Sequence, residues 1–220
     1  LILPDGTRMA YLDGGQGEPL VLLHGIGGNK DTLLNIESIR GSDFDDYLEG
    51  SDQEAVGNNG YFEAFEGRKG NDTIDGRGGV DVLQYTTARQ GVHVSMLTGL
   101  ATQDGYGGTD TFSNIEVVAG STFGDTLIGG AVGSRLEGRD GNDHLTGSND
   151  AGTSDRLFGM NGNDTIIGLA GNDTLDGGAG DDTAVIVGNY LAGEFTIVQV
   201  GGEFLVTRTG GGTDTLRGIE

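Results

Sequence analysis

Aliphatic residues return at an interval of nine along the C-terminal half of the chain, at Leu157, Ile166 and Leu175. Each is followed by a glycine-rich stretch before the next one. One inward-facing apolar residue in every nine predicts a short strand of three residues joined to the next by a six-residue turn. The hydrophobic pattern therefore predicts repeated short strands.

Glycine and aspartate keep the same nine-residue period, at Gly159, Gly168 and Gly177 and at Asp155, Asp164, Asp173 and Asp182. Two repeats, or eighteen residues, would complete one coil with two strands and two turns. Parallel strands of successive coils would then lie about 4.8 Å apart. Stacking of the coils would place Asp155 over Asp173 and Asp164 over Asp182. The period predicts an all-β fold, a parallel β-roll (β-solenoid) of nonapeptide repeats with capping β-strands.

The repeat is interrupted and partly duplicated. Asp143 and Asp155 are twelve residues apart, so three residues are inserted near 148–152, across which Asp143 should lie over Asp164. The module DTLLNIESIRGSDFDDYLEG at 31–50 returns at 110–129 as DTFSNIEVVAGSTFGDTLIG, and DTLRGIE begins a third copy at Asp214. We expect this third copy to be truncated.

These patterns divide the chain into five segments. We predict an N-terminal hairpin or cap at 1–30, a first repeat block at 31–83 and an irregular β insert at 84–119. The main roll follows at 120–182, and a truncated C-terminal β cap at 183–220.

Charge narrows the choice of partner. Acidic residues outnumber basic ones 34 to 12, which gives a net charge of −22. Little in the chain could neutralise phosphates, so nucleic acid is excluded, and the ordered acid columns favour bound cations over simple self-repulsion. The chain has no cysteine, which excludes thiolate metal sites. Its apolar runs are too short to span a membrane.

The phrases GRDGNDHLTG, GMNGNDTIIG, GLAGNDTLDG and GGAGDDTAVI resemble the nonapeptide G-G-x-G-x-D-x-U-x of calcium-binding β-rolls. The resemblance is to the RTX (repeats-in-toxin, haemolysin-type) family, and it implies several Ca²⁺ ions as cofactors. In that family, carbonyls at turn positions 1, 3 and 5 join the aspartate at position 6. Carried onto this chain, the implied ligands are Gly138, Asp140, Asn142 and Asp143; Gly159, Asn161, Asn163 and Asp164; Gly168, Ala170, Asn172 and Asp173; and Gly177, Ala179, Asp181 and Asp182. The resemblance also implies Gly67, Lys69, Asn71 and Asp72, with Asp81, Asp125 and Asp155.

The donor types agree with calcium, which takes six to eight oxygens at about 2.3–2.6 Å in flexible arrangements. Zinc would want histidine or cysteine, and the three histidines are scattered. Some turns depart from the pattern, since Ser134 replaces an aspartate and Phe123 a glycine. Gln90 and Gly99 are expected where the stacked partners of Asp72 and Asp81 should lie.

The resemblance implies a secreted, extracellular protein that folds on calcium after type I export, with the secretion machinery as a partner of the full-length parent. A polysaccharide- or surface-binding module is an alternative that a basic or aromatic stripe would support. Residues 1–30, with Pro19 to Leu23 and His24-Gly25, resemble the N-terminal start of an α/β-hydrolase. A remnant of a lipase or esterase is thus a second alternative. No G-x-S-x-G elbow and no H-E-x-x-H occurs, so we expect this chain not to be an enzyme.

Overall fold

The computed structural model describes residues 38–52, 62–187, 193–209 and 211–219, with two short strands nearer the N-terminus. Within this part of the chain every regular element is a β-strand. The strands are β1 Ala10–Tyr11, β2 Val21–Leu22, β3 Ser38–Arg40, β4 Tyr47–Glu49, β5 Phe62–Glu66, β6 Thr73–Asp75, β7 Val80–Gln84, β8 His93–Ser95, β9 Leu100–Gln103, β10 Asp110–Ser113, β11 Val117–Ala119, β12 Thr126–Ile128, β13 Arg135–Asp140, β14 His144–Thr146, β15 Arg156–Asn161, β16 Thr165–Ile167, β17 Thr174–Ala179, β18 Thr183–Ala184, β19 Phe195–Val200, β20 Glu203–Arg208 and β21 Thr213–Arg217.

Successive strands of the roll alternate between two open sheets. The long sheet has the order β1-β2-β3-β5-β7-β11-β13-β15-β17-β21-β20-β19, and the short sheet the order β18-β16-β14-β12-β8-β9-β10-β6-β4. Within the repeats, each strand pairs in parallel with the strand one coil away; Leu157, for example, is in register with Leu136 and Leu175. The predicted parallel β-roll is confirmed.

The core lies between the two sheets. Each short strand places one aliphatic side chain inward, and Leu136, Leu145, Leu157, Ile166 and Leu175 are all fully buried. Since successive side chains of a strand point to opposite faces, the flanking residues face outward. The apolar column read from the sequence is therefore the core of the roll.

The strands of the long sheet correct one expectation. β13, β15 and β17 have six residues rather than three. They continue into the following turn, where Arg139 is still in register with Met160 and Asp140 with Asn161. The short sheet keeps the predicted three-residue strands at β12, β14 and β16.

Two antiparallel hairpins interrupt the coil. β9 pairs antiparallel with both β8 and β10, while β10 lies parallel to β6. Near the C-terminus, β20 pairs antiparallel with β19 and β21, while β21 lies parallel to β17. Each hairpin thus places its second strand on a coil of the roll, and this arrangement positions two further carboxylates described below.

At the N-terminus, β1 and β2 form an antiparallel pair, and β2 pairs in parallel with β3. Both short strands fall within residues 1–30, for which a hairpin or cap is expected. His24-Gly25, on which the hydrolase resemblance depends, lies outside the described residues.

Candidate metal sites

The turn between β15 and β16 shows why the repeat needs glycine at two positions. A Cβ on Gly159 would collide with Oδ2 of Asp164 and lie 2.6 Å from the carbonyl oxygen of Gly177. Gly162 has a φ of +133°, and a Cβ there would collide with the carbonyl oxygen of Gly141. Glycine at position 1 therefore lets the aspartate of position 6 fold over the turn, and glycine at position 4 lets neighbouring coils approach closely.

Aspartates stack in columns along the turns, each joined to the next coil by a hydrogen bond. In the Asp164 column, comprising Asp125, Asp143, Asp164 and Asp182, each backbone N–H donates to Oδ1 of the next aspartate at 2.8 Å. The Asp173 column contains Ser134, Asp155, Asp173 and Asp214, with distances of 2.7, 3.0 and 3.1 Å. The Asp72 column contains Asp46, Asp72 and Asp110, at 2.8 and 3.0 Å. The stacking expected from the eighteen-residue period is found.

The aspartates fall into two groups, according to whether their second carboxylate oxygen, Oδ2, has a hydrogen-bond partner. In one group Oδ2 is already engaged by the backbone N–H of turn position 2, which is a serine: Ser42 for Asp46, Ser121 for Asp125 and Ser148 for Asp155, each at 2.6 Å. In the other group Oδ2 is buried and has no hydrogen-bond partner among the described residues, at Asp72, Asp143, Asp164 and Asp173.

Buried oxygens without partners are costly in a folded protein, and a carboxylate more so than a neutral group. Asp143, Asp164 and Asp173 are only 1–2% exposed. Burial is the main cause that raises the pKa of Asp72, Asp143 and Asp173 to about 7, and neighbouring carboxylates raise it further. Burial likewise raises the pKa of Asp164. These groups need either a proton or a cation, and the donor set suits calcium.

The predicted ligands at position 5 lie at the outer edge of the turns, where Asn142 and Asn163 are exposed, whereas the position-1 glycines are buried. The position-5 side chains form a second ladder, since Oδ1 of Asn142 accepts the N–H of Asn163 at 3.0 Å and Oδ1 of Asn163 accepts the N–H of Asp181 at 3.1 Å. Lys69 directs its ammonium group to Asp43, at 2.5 Å. Because the side chains of Asn142, Asn163 and Lys69 are engaged in this way, these residues can contribute their backbone carbonyls as ligands. No group of three or more His, Asp or Glu side chains converges as a metal cage within the described ranges, so carbonyls would have to complete the coordination.

The structure corrects the stacking partners of two aspartates. Asp72 is stacked on Asp110 rather than Gln90, because the β9–β10 hairpin brings in a strand 38 residues later. Asp81 is stacked on Glu116 rather than Gly99, and its N–H donates to Oε2 of Glu116 at 2.9 Å. Both oxygens of Asp81 lack partners among the described residues, and its pKa is raised to about 7, chiefly by burial.

Sequence reasoning missed several buried acidic residues, among them Asp104, Asp110 and Asp214, which are all 0% exposed. The nonapeptide pattern does not include them. The available signal was the phrase G-G-T-D, which occurs at 107–110 and again at 211–214.

Comparison with known proteins agrees with this geometry. The family model described as RTX calcium-binding nonapeptide repeat (4 copies) matches residues 59–84, 119–153 and 151–184. The chain carries RTX calcium-binding repeats. The matched residues contain the buried aspartates at 72, 81, 143, 164 and 173, and the match supports calcium as the metal of these repeats.

Among solved structures, the extracellular lipase LipA from Serratia marcescens is similar over 91% of this chain and 40% of the lipase, at 16% identity and a TM-score of 0.24. The chain thus spans less than half the length of that protein. The comparison with curated proteins gave no match. Within the described residues, no helix has the length and apolar character needed to cross a bilayer.

Proposed function

We propose that this chain is a β-roll whose folding is coupled to the binding of several calcium ions. The observation that carries this proposal is the set of buried aspartates that give Oδ1 to the next coil and leave Oδ2 without a partner. A bound calcium ion supplies the positive charge and takes six to eight oxygens. The chain supplies carboxylates already held in position by the coil below.

The coupling follows from where the carboxylates lie. Asp143 and Asp164 come together only when their two coils are stacked. Because the unfolded chain has no such arrangement, binding free energy becomes folding free energy. Calcium at one hundred times its dissociation constant would add about 2.7 kcal/mol of stability per site.

Each proposed ligand group combines the position-6 carboxylate with the carbonyls at positions 1, 3 and 5. These groups lie in the turns that end at Asp72, Asp143, Asp164, Asp173 and Asp182. Asp81 is proposed as a further carboxylate ligand. For Asp125 and Asp155 we propose a structural role, because serine N–H groups occupy their second oxygens.

Calcium coupling suits an exported protein, and we extend the proposal to secretion. At low calcium the columns of carboxylates repel one another, so the chain stays open and passes through the type I secretion machinery. At the higher calcium concentration outside the cell it coils up. The RTX repeats support this localisation, and we propose no catalytic role for the repeats themselves.

The test is calcium titration by isothermal calorimetry, with far-UV circular dichroism in the same buffer. Saturable binding of several ions, with a rise in β signal between EDTA and calcium, is the expected result. The same β content in EDTA and in calcium would overturn the coupling, and the lack of any binding would overturn the calcium function.

A second candidate function is binding of an acidic polysaccharide. A groove of about 650 Å³ lies on the outer face of the long sheet, lined by Arg135, Arg139, Arg156 and the apolar Val82 and Val117 among others. Arg135 and Arg156 are register partners on adjacent strands. Arg135 also pairs with Glu137 at 2.6 Å, whereas Arg139 and Arg156 make no ion pair with a described residue. Glu116 and Glu137 also line the groove. The grouping of the three arginines is the feature that the sequence did not reveal, and it suits carboxylated sugars.

Binding of a polyuronate and of a neutral glucan to the calcium-saturated chain tests this second candidate. Polyuronate binding that falls at least tenfold in Arg139→Ala/Arg156→Ala is the expected result. Arg89, an exposed arginine outside the groove, gives the control, and Arg89→Ala should leave binding unchanged. Equal binding of both polymers, or of neither, would remove the candidate.

A further inference from the structure

The two antiparallel hairpins end in turns that are built alike. In residues 104–110, Gly108 lies against the carbonyl of Gly70 so closely that a Cβ would collide with it. In residues 208–214, Gly212 lies in the same way against the carbonyl of Gly171. Each turn therefore stacks on an RTX turn.

The hydrogen bonds of the two turns also correspond. Thr109 N–H donates to Oδ1 of Asn71 at 3.1 Å, and Thr213 N–H donates to Oδ1 of Asn172 at 2.7 Å. One residue later, Oδ1 of Asp110 accepts the N–H of Asp72, and Oδ1 of Asp214 accepts the N–H of Asp173. Asp110 and Asp214 thus occupy the same place on top of two aspartate columns.

The residue six positions earlier differs between the two turns. It is Asp104 in the first and Arg208 in the second, and its backbone N–H donates to the glycine carbonyl of the turn in both: Gly108 at 3.4 Å and Gly212 at 3.0 Å. Equivalent positions therefore carry opposite charges.

Arg208 supplies a cation at the top of the Asp173 column. Its Nη1 lies 2.7 Å from Oδ2 of Asp214, which is 0% exposed, and its own side chain is only 16% exposed. A guanidinium is always charged and suits buried pairing with carboxylates. The negative charge of this uppermost level is thereby offset within the chain.

Asp104 adds a further negative charge at the top of the Asp72 column. Its Oδ1 accepts the N–H groups of Tyr106, Gly107 and Gly108 at 2.7–2.9 Å, which fixes the carboxylate. Its Oδ2 is buried without a hydrogen-bond partner in the described residues, and so is Oδ2 of Asp72. Both Asp104 Oδ2 and the Gly70 carbonyl oxygen face the α-carbon of Gly108.

No basic residue in the described ranges forms an ion pair with Asp72, Asp104 or Asp110. The second oxygen of Asp110 is engaged by the Tyr85 hydroxyl at 3.1 Å, a neutral donor. Asp72, Asp104 and Asp110 are therefore buried without a cationic partner among the described residues, at a level where the equivalent turn has a guanidinium.

We propose that Asp104, with Asp72 and the Gly70 carbonyl, forms a divalent-cation site outside the nonapeptide pattern, and that Arg208 takes the place of the cation at the equivalent level of the Asp173 column. This inference rests on the proposed calcium function. The residue six positions before the G-G-T-D aspartate decides whether the last level of a column binds an ion.

Counting calcium ions per chain by calorimetry tests this assignment in both directions. Relative to the wild-type chain, Asp104→Arg is expected to bind one ion fewer, and Arg208→Asp one ion more. Asp104→Asn keeps the Oδ1 acceptor for the three loop N–H groups and is also expected to lose one ion. Asp104→Asn therefore keeps the test valid if Asp104→Arg fails to fold. Arg208→Gln is the corresponding second variant for Arg208→Asp, and it is also expected to gain one ion.

Arg217→Asp is the matched control, because Arg217 is on the same hairpin but pairs with Glu203 at the surface, 49% exposed. Its ion count should equal that of the wild type. Unchanged counts in the Asp104 and Arg208 variants, or an equal change in the control, would overturn the inference. A wild-type chain that binds no calcium would instead overturn the proposed function.

Discussion

The backbone N–H of Asp143 donates a 2.8 Å hydrogen bond to Oδ1 of Asp164, 21 residues further along the chain. The neighbouring bonds of the same column have the same length but join residues 18 apart. The three inserted residues form a separate turn, in which Thr153 N–H donates to the carbonyl of Asp150. The column therefore keeps its geometry when the chain between two coils lengthens.

Replacement of Asp164 by asparagine separates its two roles. Asparagine keeps an oxygen that can accept the N–H of Asp143, but it removes the charge of the second oxygen. We expect calcium affinity at this level to fall about tenfold or more, which is about 1.4 kcal/mol. Calorimetric titration measures the change. Asp176→Asn, on the outward face of β17, is the control, and an equal loss of affinity there would contradict the assignment.

Protons should partly replace calcium in the metal-free chain. The pKa values of Asp72, Asp81, Asp143 and Asp173 are raised to about 7 in the fold, above the ordinary value of 3.8. A raised carboxyl pKa favours the neutral form in the folded state. Its stabilisation is complete below the unfolded pKa and is lost as the pH rises through about 7.

The β signal of the chain in EDTA, measured by far-UV circular dichroism, should therefore rise between pH 8 and pH 5, because protonation removes the repulsion that keeps the metal-free chain open. Calcium affinity should fall over the same range, because protons compete for the same oxygens. A β signal in EDTA that is constant or falls towards pH 5 would contradict the assignment of these buried carboxylates.

Truncation of one core side chain should weaken the roll at its centre. Leu157 is fully buried between Leu136 and Leu175. We expect Leu157→Ala to lower the free energy of unfolding by about 2–5 kcal/mol in saturating calcium, measured by urea denaturation. Leu97, which is 66% exposed, gives the control, and Leu97→Ala should change stability by less than about 0.5 kcal/mol. Equal effects would place the core elsewhere.

Gly162 is expected to tolerate alanine poorly, both because of its backbone conformation and because the neighbouring coil lies close to its α-carbon. Alanine there would have an unfavourable φ and would collide with the Gly141 carbonyl. Gly201 has a φ of +67° with open space around its α-carbon, so Gly201→Ala should cost only about 1–2 kcal/mol. Gly162→Ala should cost on the order of 3 kcal/mol or more. Chemical denaturation of both variants in calcium compares them, and similar costs would exclude the steric contribution.

The periodic part of the molecule could be predicted from the sequence. Leu157, Ile166 and Leu175 repeat every nine residues because each fills the same place in the core, and Asp164 and Asp182 stack because the coil has eighteen residues. These features depend on local spacing alone, which a sequence displays directly.

The interrupted part could not be predicted. Asp110 reaches Asp72 through an antiparallel hairpin, and such a hairpin has no period that would reveal its register. Nor does the nine-residue period say which aspartates are already satisfied, because it leaves turn position 2 unspecified. Ser121 at that position engages Asp125 through both its backbone N–H and its hydroxyl. The ion pair between Arg208 and Asp214 likewise depends on the hairpin fold.

Within the described residues, strand pairing and the aspartate columns connect each coil of the roll to its immediate neighbours. If the two ends of the roll were pulled apart, the coils would separate one at a time, because each is connected to its immediate neighbours. Such a rod would lengthen in small steps of one coil each at nearly constant force, and every step would expose one fresh pair of turns.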